Sequence, residues 1–131
     1  MEKKEPYASQ EEFSKRVTHY ADVPVVELGS GVKAHIVSAE RITVTFVTLA
    51  PSICAAVHHH ENEQIMIVVN GECDFILEGK LYPMKEGDVI IVPSNIEHGA
   101  YSSDKGCQIM DIFSPPRQDF VEKLRRVLSA Q

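Results

Sequence analysis

Apolar and polar residues alternate in short blocks through most of this chain, and each block stops at a turn former. Residues 42–49, Ile-Thr-Val-Thr-Phe-Val-Thr-Leu, are dense in β-branched side chains and read as a strand that Ala50-Pro51 ends. Gly29-Ser30-Gly31 separates strand-like blocks at 25–28 and 32–37. Asn70-Gly71 is the strongest hairpin signal, since both residues tolerate the positive φ of a type I′ turn, and it is expected to join strands 64–69 and 72–77. Glu78-Gly79 leads into 81–84, Glu86-Gly87-Asp88 into 89–92, and Asp104-Lys105-Gly106 is expected to turn into 107–113 before Pro115-Pro116. The period changes only at the ends. Ser9 followed by Glu12 is a capping box opening a short helix around Phe13. Residues 118–131 put Phe120, Val121, Leu124, Val127 and Leu128 on one side of a helix. Many short strands at even spacing, with no helix between them, imply an all-β jelly-roll barrel with a short helix at each end. The expected layout is a tail and helix over 1–22, a barrel over 23–114 and a terminal helix over 115–131, in one domain.

One block breaks the alternation. Ile65-Met66-Ile67-Val68-Val69 is apolar at every position, so both faces of that strand should be covered. One face looks into the barrel; the other is expected to meet a helix or a second subunit, which makes a homodimer the expected state.

Composition removes several classes of partner. The apolar share of 44% and charged share of 24% are those of an ordinary globular protein. A net charge of −6 without a basic stripe argues against nucleic acid. The apolar run 65–69 is too short to span a bilayer, so no membrane partner is expected. Met1-Glu2-Lys3-Lys4-Glu5 lacks the apolar core of a secretory signal. Cys54, Cys73 and Cys107 form no Cys-x-x-Cys pair and suit a reducing cytoplasm.

The candidate chemistry begins at Val57-His58-His59-His60-Glu61-Asn62-Glu63-Gln64. In an extended strand His58 and His60 share a face and His59 points away. Two imidazoles make half a metal site, and further N or O donors must arrive from elsewhere. His98, behind Gly87-Asp88-Val89-Ile90-Ile91-Val92-Pro93, is one such donor. Taken alone, the His58–His60 run also fits a solvated cluster; agreement with an independent loop carrying His98 favours the metal. His19 and His35 have no partner pattern and read as surface or satisfied histidines.

These phrases resemble the cupin superfamily, whose motifs are written G(X)5HXH(X)3,4E(X)6G and G(X)5PXG(X)2H(X)3N. His58, His60 and Gly71 fall on the first, with Gln64 on its glutamate; Gly87, Pro93 and His98 fall on the second. Ser52 stands for the opening Gly, Asn95 for the second-motif Gly and Ser102 for the terminal Asn. Asn95 is a mild change, because Asn tolerates left-handed backbone. Glu63 competes with Gln64 as the oxygen donor, but the spacing to Gly71 selects Gln64 and strand parity puts Glu63 on the other face. The resemblance implies one divalent transition metal on His58, His60, Gln64 and His98; zinc, nickel, manganese and iron all accept such donors. Three neutral imidazoles and a neutral amide leave the ion's +2 uncompensated, which favours an anionic substrate.

Near the C-terminus, Asp111 and Phe113 share a strand face, and Arg117 follows the Pro pair. An inward Asp among apolar neighbours needs a partner or a task. From the residues alone, a structural role, as an Asp111–Arg117 ion pair at the barrel rim or with Arg117 simply capping the final turn, and a functional one are equally open. The segment Asp111-Ile-Phe-Ser-Pro-Pro-Arg-Gln-Asp-Phe is similar to the pectin-degradation KdgF group of small cupins. That resemblance implies that Asp111, Phe113 and Arg117 line an active site opposite the metal. It implies a reaction in which a 4,5-unsaturated uronate opens to linear 5-keto-4-deoxyuronate. An iron cupin dioxygenase and a non-catalytic sensor cupin are the other readings, separated by dependence on iron and O2, or by absence of turnover.

Overall fold

The computed structural model describes residues 1–131. Eight strands follow one another: β1 Val26–Gly29, β2 Val32–Ser38, β3 Thr43–Leu49, β4 Cys54–His58, β5 Glu63–Leu77, β6 Lys80–Lys85, β7 Val89–Val92 and β8 His98–Ser114. Helix α1, Gln10–Arg16, precedes them and helix α2, Gln118–Ser129, follows. All pairings are antiparallel, in the order β1-β2-β3-β8-β5-β6, with β4 on β8 and β7 on β5. The result is the expected all-β jelly roll, and its two long strands run through both sheets. The N-terminal half of β5 pairs with β7 and with the C-terminal half of β8, whereas its C-terminal half pairs with β6 and with the N-terminal half of β8.

This topology corrects two expected turns. Asn70-Gly71 does not close a hairpin, and Asp104-Lys105-Gly106 lies inside β8. Both halves of β5 are already flanked on each side, so they have no free edge to offer one another. The positive φ is still used: Gly71 has φ 85° and Gly106 has φ 75°. There the ladder slips at Val68/Asn70 and Gly71/Cys73, and a bulge of this kind bends a strand from one sheet into the next. A Cβ on Gly71 would come within 2.8 Å of the Gly106 carbonyl, and one on Gly106 within 2.6 Å of the Leu49 carbonyl. The close crossing of backbones needs glycine at both places.

Other local readings hold. Ser9 Oγ accepts from the Glu12 amide at 3.1 Å and Glu12 Oε1 from the Ser9 amide at 2.9 Å, closing the capping box of α1. Asn95 takes φ 63°, and Ser52, in the place of the motif glycine, takes φ 53°. The core is built from inward rows such as Val47 and Leu49 of β3, Met66 and Val68 of β5, and Ile109 of β8; Phe120, Leu124 and Val127 of α2 pack on it. The apolar block of β5 does alternate in burial: Met66 and Val68 are enclosed, whereas Ile65 and Val69 stay 37% and 48% exposed. No helix of this chain covers that outer row; α2 lies against β1 and β2.

The inward row turns polar toward one end of the barrel. Thr43 and Thr45 of β3, Gln64 of β5 and Asp111 of β8 are all buried there. Register ties them together, since Thr45 and Met66 flank Asp111, while Thr43 and Gln64 flank Phe113. Four polar groups on an inward face are costly unless they are partnered. That end of the barrel is the site.

Candidate metal centre

His58 ends β4 and His98 opens β8, and the two are direct cross-strand partners. His60 lies two residues beyond the end of β4, so loop geometry rather than strand parity brings it in. The three ligand atoms lie within 4.8 Å of one another, a spacing that could hold a metal ion. Each ring is oriented by a backbone carbonyl: His58 Nδ1 donates to Ala56 O at 3.0 Å, His60 Nδ1 to Asn62 O at 3.0 Å and His98 Nδ1 to Ile96 O at 2.8 Å. A carbonyl can only accept, so in the neutral ring Nδ1 carries the proton and Nε2 keeps its lone pair, the tautomer that metal-ligating histidines use. Burial holds the His98 imidazole down at about 4 and also lowers that of His60, which keeps both rings neutral at physiological pH.

Gln64 completes the group. Its Nε2 donates to Asp111 Oδ1 at 2.8 Å, which turns its Oε1 toward His60 Nε2 at 3.0 Å. Two acceptors at that separation repel unless a proton or cation lies between them. His98 Nε2 is buried without a hydrogen-bond partner. An orphaned lone pair and a facing pair of acceptors, on neutral donors, are what a divalent cation satisfies. The residues fit the metal.

Beside this group lies a cavity of about 480 Å3, whose lining includes His58, Gln64, His98, Asp111, Phe113 and Arg117. Asp111 is enclosed between Gln64 and Thr45, whose hydroxyl donates to Oδ2 at 3.4 Å. Burial pushes its carboxyl up to about 6, against the pull of those two hydrogen bonds. Arg117 is also buried, but its partner is not Asp111. Its Nε and Nη2 chelate Asp119 at 3.0 and 2.8 Å, and its guanidinium stacks on Phe120 at 3.7 Å and on Phe113 at 4.9 Å. The rim ion pair between Asp111 and Arg117 is therefore replaced by an Arg117–Asp119 pair.

Compared with known proteins, residues 45–113 match the family described as the cupin domain. The chain belongs to the cupin family. This cupin is 31% identical over 102 residues to the pectin degradation protein KdgF of Dickeya dadantii (strain 3937), covering 76% of this chain and 93% of that one. Among solved structures it resembles an RmlC-like cupin from Shewanella frigidimarina NCIMB 400, with a TM-score of 0.75 and 25% identity over 80% of this chain and 95% of that one. It also resembles KdgF from Halomonas sp., with a TM-score of 0.69 and 27% identity over 74% and 90% of the two chains.

In this cupin His58, His60, Gln64 and His98 stand together at one end of the barrel, with Asp111, Phe113 and Arg117 at the same cavity. Glu63 is exposed, as its strand parity requires, and His59 is exposed in the loop after β4. His35 is satisfied by the Val23 carbonyl at 2.7 Å. The sequence reading missed the residues that hold the site in shape. Thr43 accepts from the Arg117 amide at 3.0 Å, Thr45 reaches Asp111, and the Asn62 side chain donates to the carbonyls of Pro115 and Pro116. A signal for the threonines was present, because Thr43 and Thr45 share parity with inward Val47 and Leu49. Nothing local marked Asp119 or Lys123 as cavity residues.

Proposed function

We propose that this cupin is a metal-dependent enzyme acting on a small anionic sugar acid, opening a 4,5-unsaturated uronate to linear 5-keto-4-deoxyuronate. The observation that carries the reading is the Gln64 amide, which joins the histidine cluster on one side to a buried carboxyl on the other. A Lewis-acid position and a proton-transfer group thereby share one wall of one cavity. The similarity to proteins named pectin degradation protein KdgF and KdgF supports the substrate class.

His58, His60, His98 and Gln64 would hold the ion, one of zinc, nickel, manganese or iron. A divalent ion held there supplies Lewis acidity toward substrate oxygens. The remaining work is acid–base. One proton must leave the hemiacetal hydroxyl and one must arrive at C4 of the enol ether, while the C1–ring oxygen bond breaks and C5 becomes a ketone; composition is unchanged. Asp111, buried at the cavity and bonded to Gln64, suits that exchange. Arg117 offers N–H groups to the substrate carboxylate. Phe113, edge-on to His60 at 5.6 Å, closes the apolar side of the cavity.

In this reading the protein works in the cytoplasm, in keeping with its three free thiols, and its macromolecular partner is a second copy of itself. The test is the loss of ultraviolet absorbance of 4,5-unsaturated galacturonate, with metal-loaded protein against the spontaneous rate. Acceleration abolished by a chelator and restored by metal supports the reading. A rate equal to the spontaneous one sinks it.

A further inference from the structure

Arg117 has five N–H donors in one plane, and the Asp119 chelate uses the Nε hydrogen and one Nη2 hydrogen. The other Nη2 hydrogen and both on Nη1 have no protein acceptor. The plane itself is fixed, because Phe120 lies 3.7 Å and Phe113 4.9 Å from the guanidinium carbon. The side chain is 8% exposed, whereas that of Asp119 is 57% exposed. Asp119, which lines the same cavity, thus grips the guanidinium from its more exposed side. His98 Nε2 is the sole fully buried side-chain polar atom lacking a partner, so the unpaired Arg117 Nη1 is not sealed off, and Arg117 is a lining residue of the cavity.

We infer that Asp119 is a positioning residue: by occupying the Nε–Nη2 edge of Arg117 it reserves the Nη1–Nη2 edge for a planar anion entering the cavity. The inference rests on the proposed sugar-acid function for the identity of that anion, a carboxylate. A carboxylate has two oxygens at the spacing of two parallel N–H bonds, so either edge of an unrestrained guanidinium would accept it. Here one edge is taken, and the two rings prevent the group from flipping. The substrate carboxylate must then lie in the plane of the guanidinium, which orients the sugar ring relative to Asp111 and the histidines.

The chelate also changes where selectivity arises. Arg117 and Asp119 cancel in charge, and Asp111 is bonded to Gln64 and Thr45. Lys123, one helical turn beyond Phe120, lines the same cavity and makes no ion pair. Among the side chains, attraction at a distance therefore falls to Lys123, which adds to the charge of an ion held by the histidines, and the in-plane fit falls to Arg117. The two contributions separate by salt, since an exposed ammonium is screened whereas a buried, stacked hydrogen-bond edge is not.

The experiment compares metal-loaded wild type with Asp119→Asn, Asp119→Ala and Lys123→Ala. Proton–nitrogen spectra of the arginine side chains report the Arg117 Nε–H directly. Its hydrogen exchange should quicken about tenfold or more in Asp119→Ala, with metal content unchanged. Acetate, the simplest carboxylate, should leave the Arg117 Nε–H signal nearly unshifted in wild type, where Asp119 holds that edge, and shift it in Asp119→Ala, where the edge is free. With unsaturated galacturonate, both Asp119 variants should raise KM with kcat little altered, at low and high salt alike. Lys123→Ala should raise KM only at low salt. Unchanged Nε–H exchange in Asp119→Ala, or an acetate-induced Nε–H shift as large in wild type as in that variant, overturns the inference. Absence of turnover in wild type would remove the proposed substrate, while the exchange and acetate measurements still decide the role of Asp119.

Discussion

Gln64 is the residue on which both halves of the site depend, because its amide has two ends with different duties. The oxygen faces His60 and the nitrogen holds Asp111, so the hydrogen bond to Asp111 is what turns the oxygen toward the histidines. Gln64→Ala is expected to strip the metal, and Glu63→Ala, on the exposed face, to leave it bound; elemental analysis of the two purified variants checks this. Equal loss in both would reverse the assignment. Asp111 illustrates the opposite economy. With its carboxyl raised from 3.8 to about 6, the folded metal-free protein binds more protons than the unfolded chain between those values, so its stability should fall as pH rises through that window. Holding the carboxylate ionised at neutral pH costs roughly 3 kcal/mol. Asp111→Asn removes that cost and keeps the bond from Gln64. It should raise the thermal midpoint of the metal-free protein at pH 8, raise it little at pH 4, and lower kcat on the unsaturated uronate with KM nearly unchanged. Full turnover in the variant would end the proton-transfer role, and a fall in midpoint at pH 8 would contradict the burial argument.

At the scale of elements, β5 and its neighbours present an outer face as apolar as the inner one. Register aligns Ile91, Ile65, Ile112, Val44 and Val37 in one row, and Val89, Ile67, Met110 and Phe46 in the next, across β7, β5, β8, β3 and β2. Ile91 is 63% and Val89 55% exposed at the β7 end, the middle of both rows is half-buried, and at the far end Tyr20 stacks on Phe46 at 4.1 Å. A contiguous apolar sheet face of this kind marks an interaction surface, and two such sheets pack face to face readily. The expected assembly is a homodimer through this face. Light scattering at micromolar concentration should give twice the chain mass for wild type and the monomer mass for Ile91→Lys combined with Ile65→Lys, with strand content preserved by circular dichroism. A wild-type monomer would dispose of the dimer.

For the whole molecule, the proposed ligands matter because they come from different parts of the chain: the end of β4, the loop after it, β5 and the start of β8. A cation bound by all of them stabilises the fold by mass action, about 4 kcal/mol at a thousand times its dissociation constant. Dialysis against a chelator should therefore lower the thermal midpoint by several degrees, and zinc or nickel should restore it in a concentration-dependent way; an unmoved midpoint would mean that these donors hold no ion. Much of this arrangement was legible in the residues. Strand alternation, the Ser9–Glu12 cap and the left-handed Asn95 are dictated within a few bonds, because period and φ preference are local properties. The set His58, His60, Gln64 and His98 was readable because its spacing against Gly71 and Pro93 matches the cupin motifs. Only the tertiary structure decided whether Gly71 ends a strand or bends one, since that depends on which edges other strands already occupy. It also decided that Arg117 answers to Asp119 and that Asp111 answers to Gln64 and Thr45. The Asp111 pairings join residues separated by 47 and 66 positions, and no local pattern encodes which buried charge will meet which donor once the sheets close.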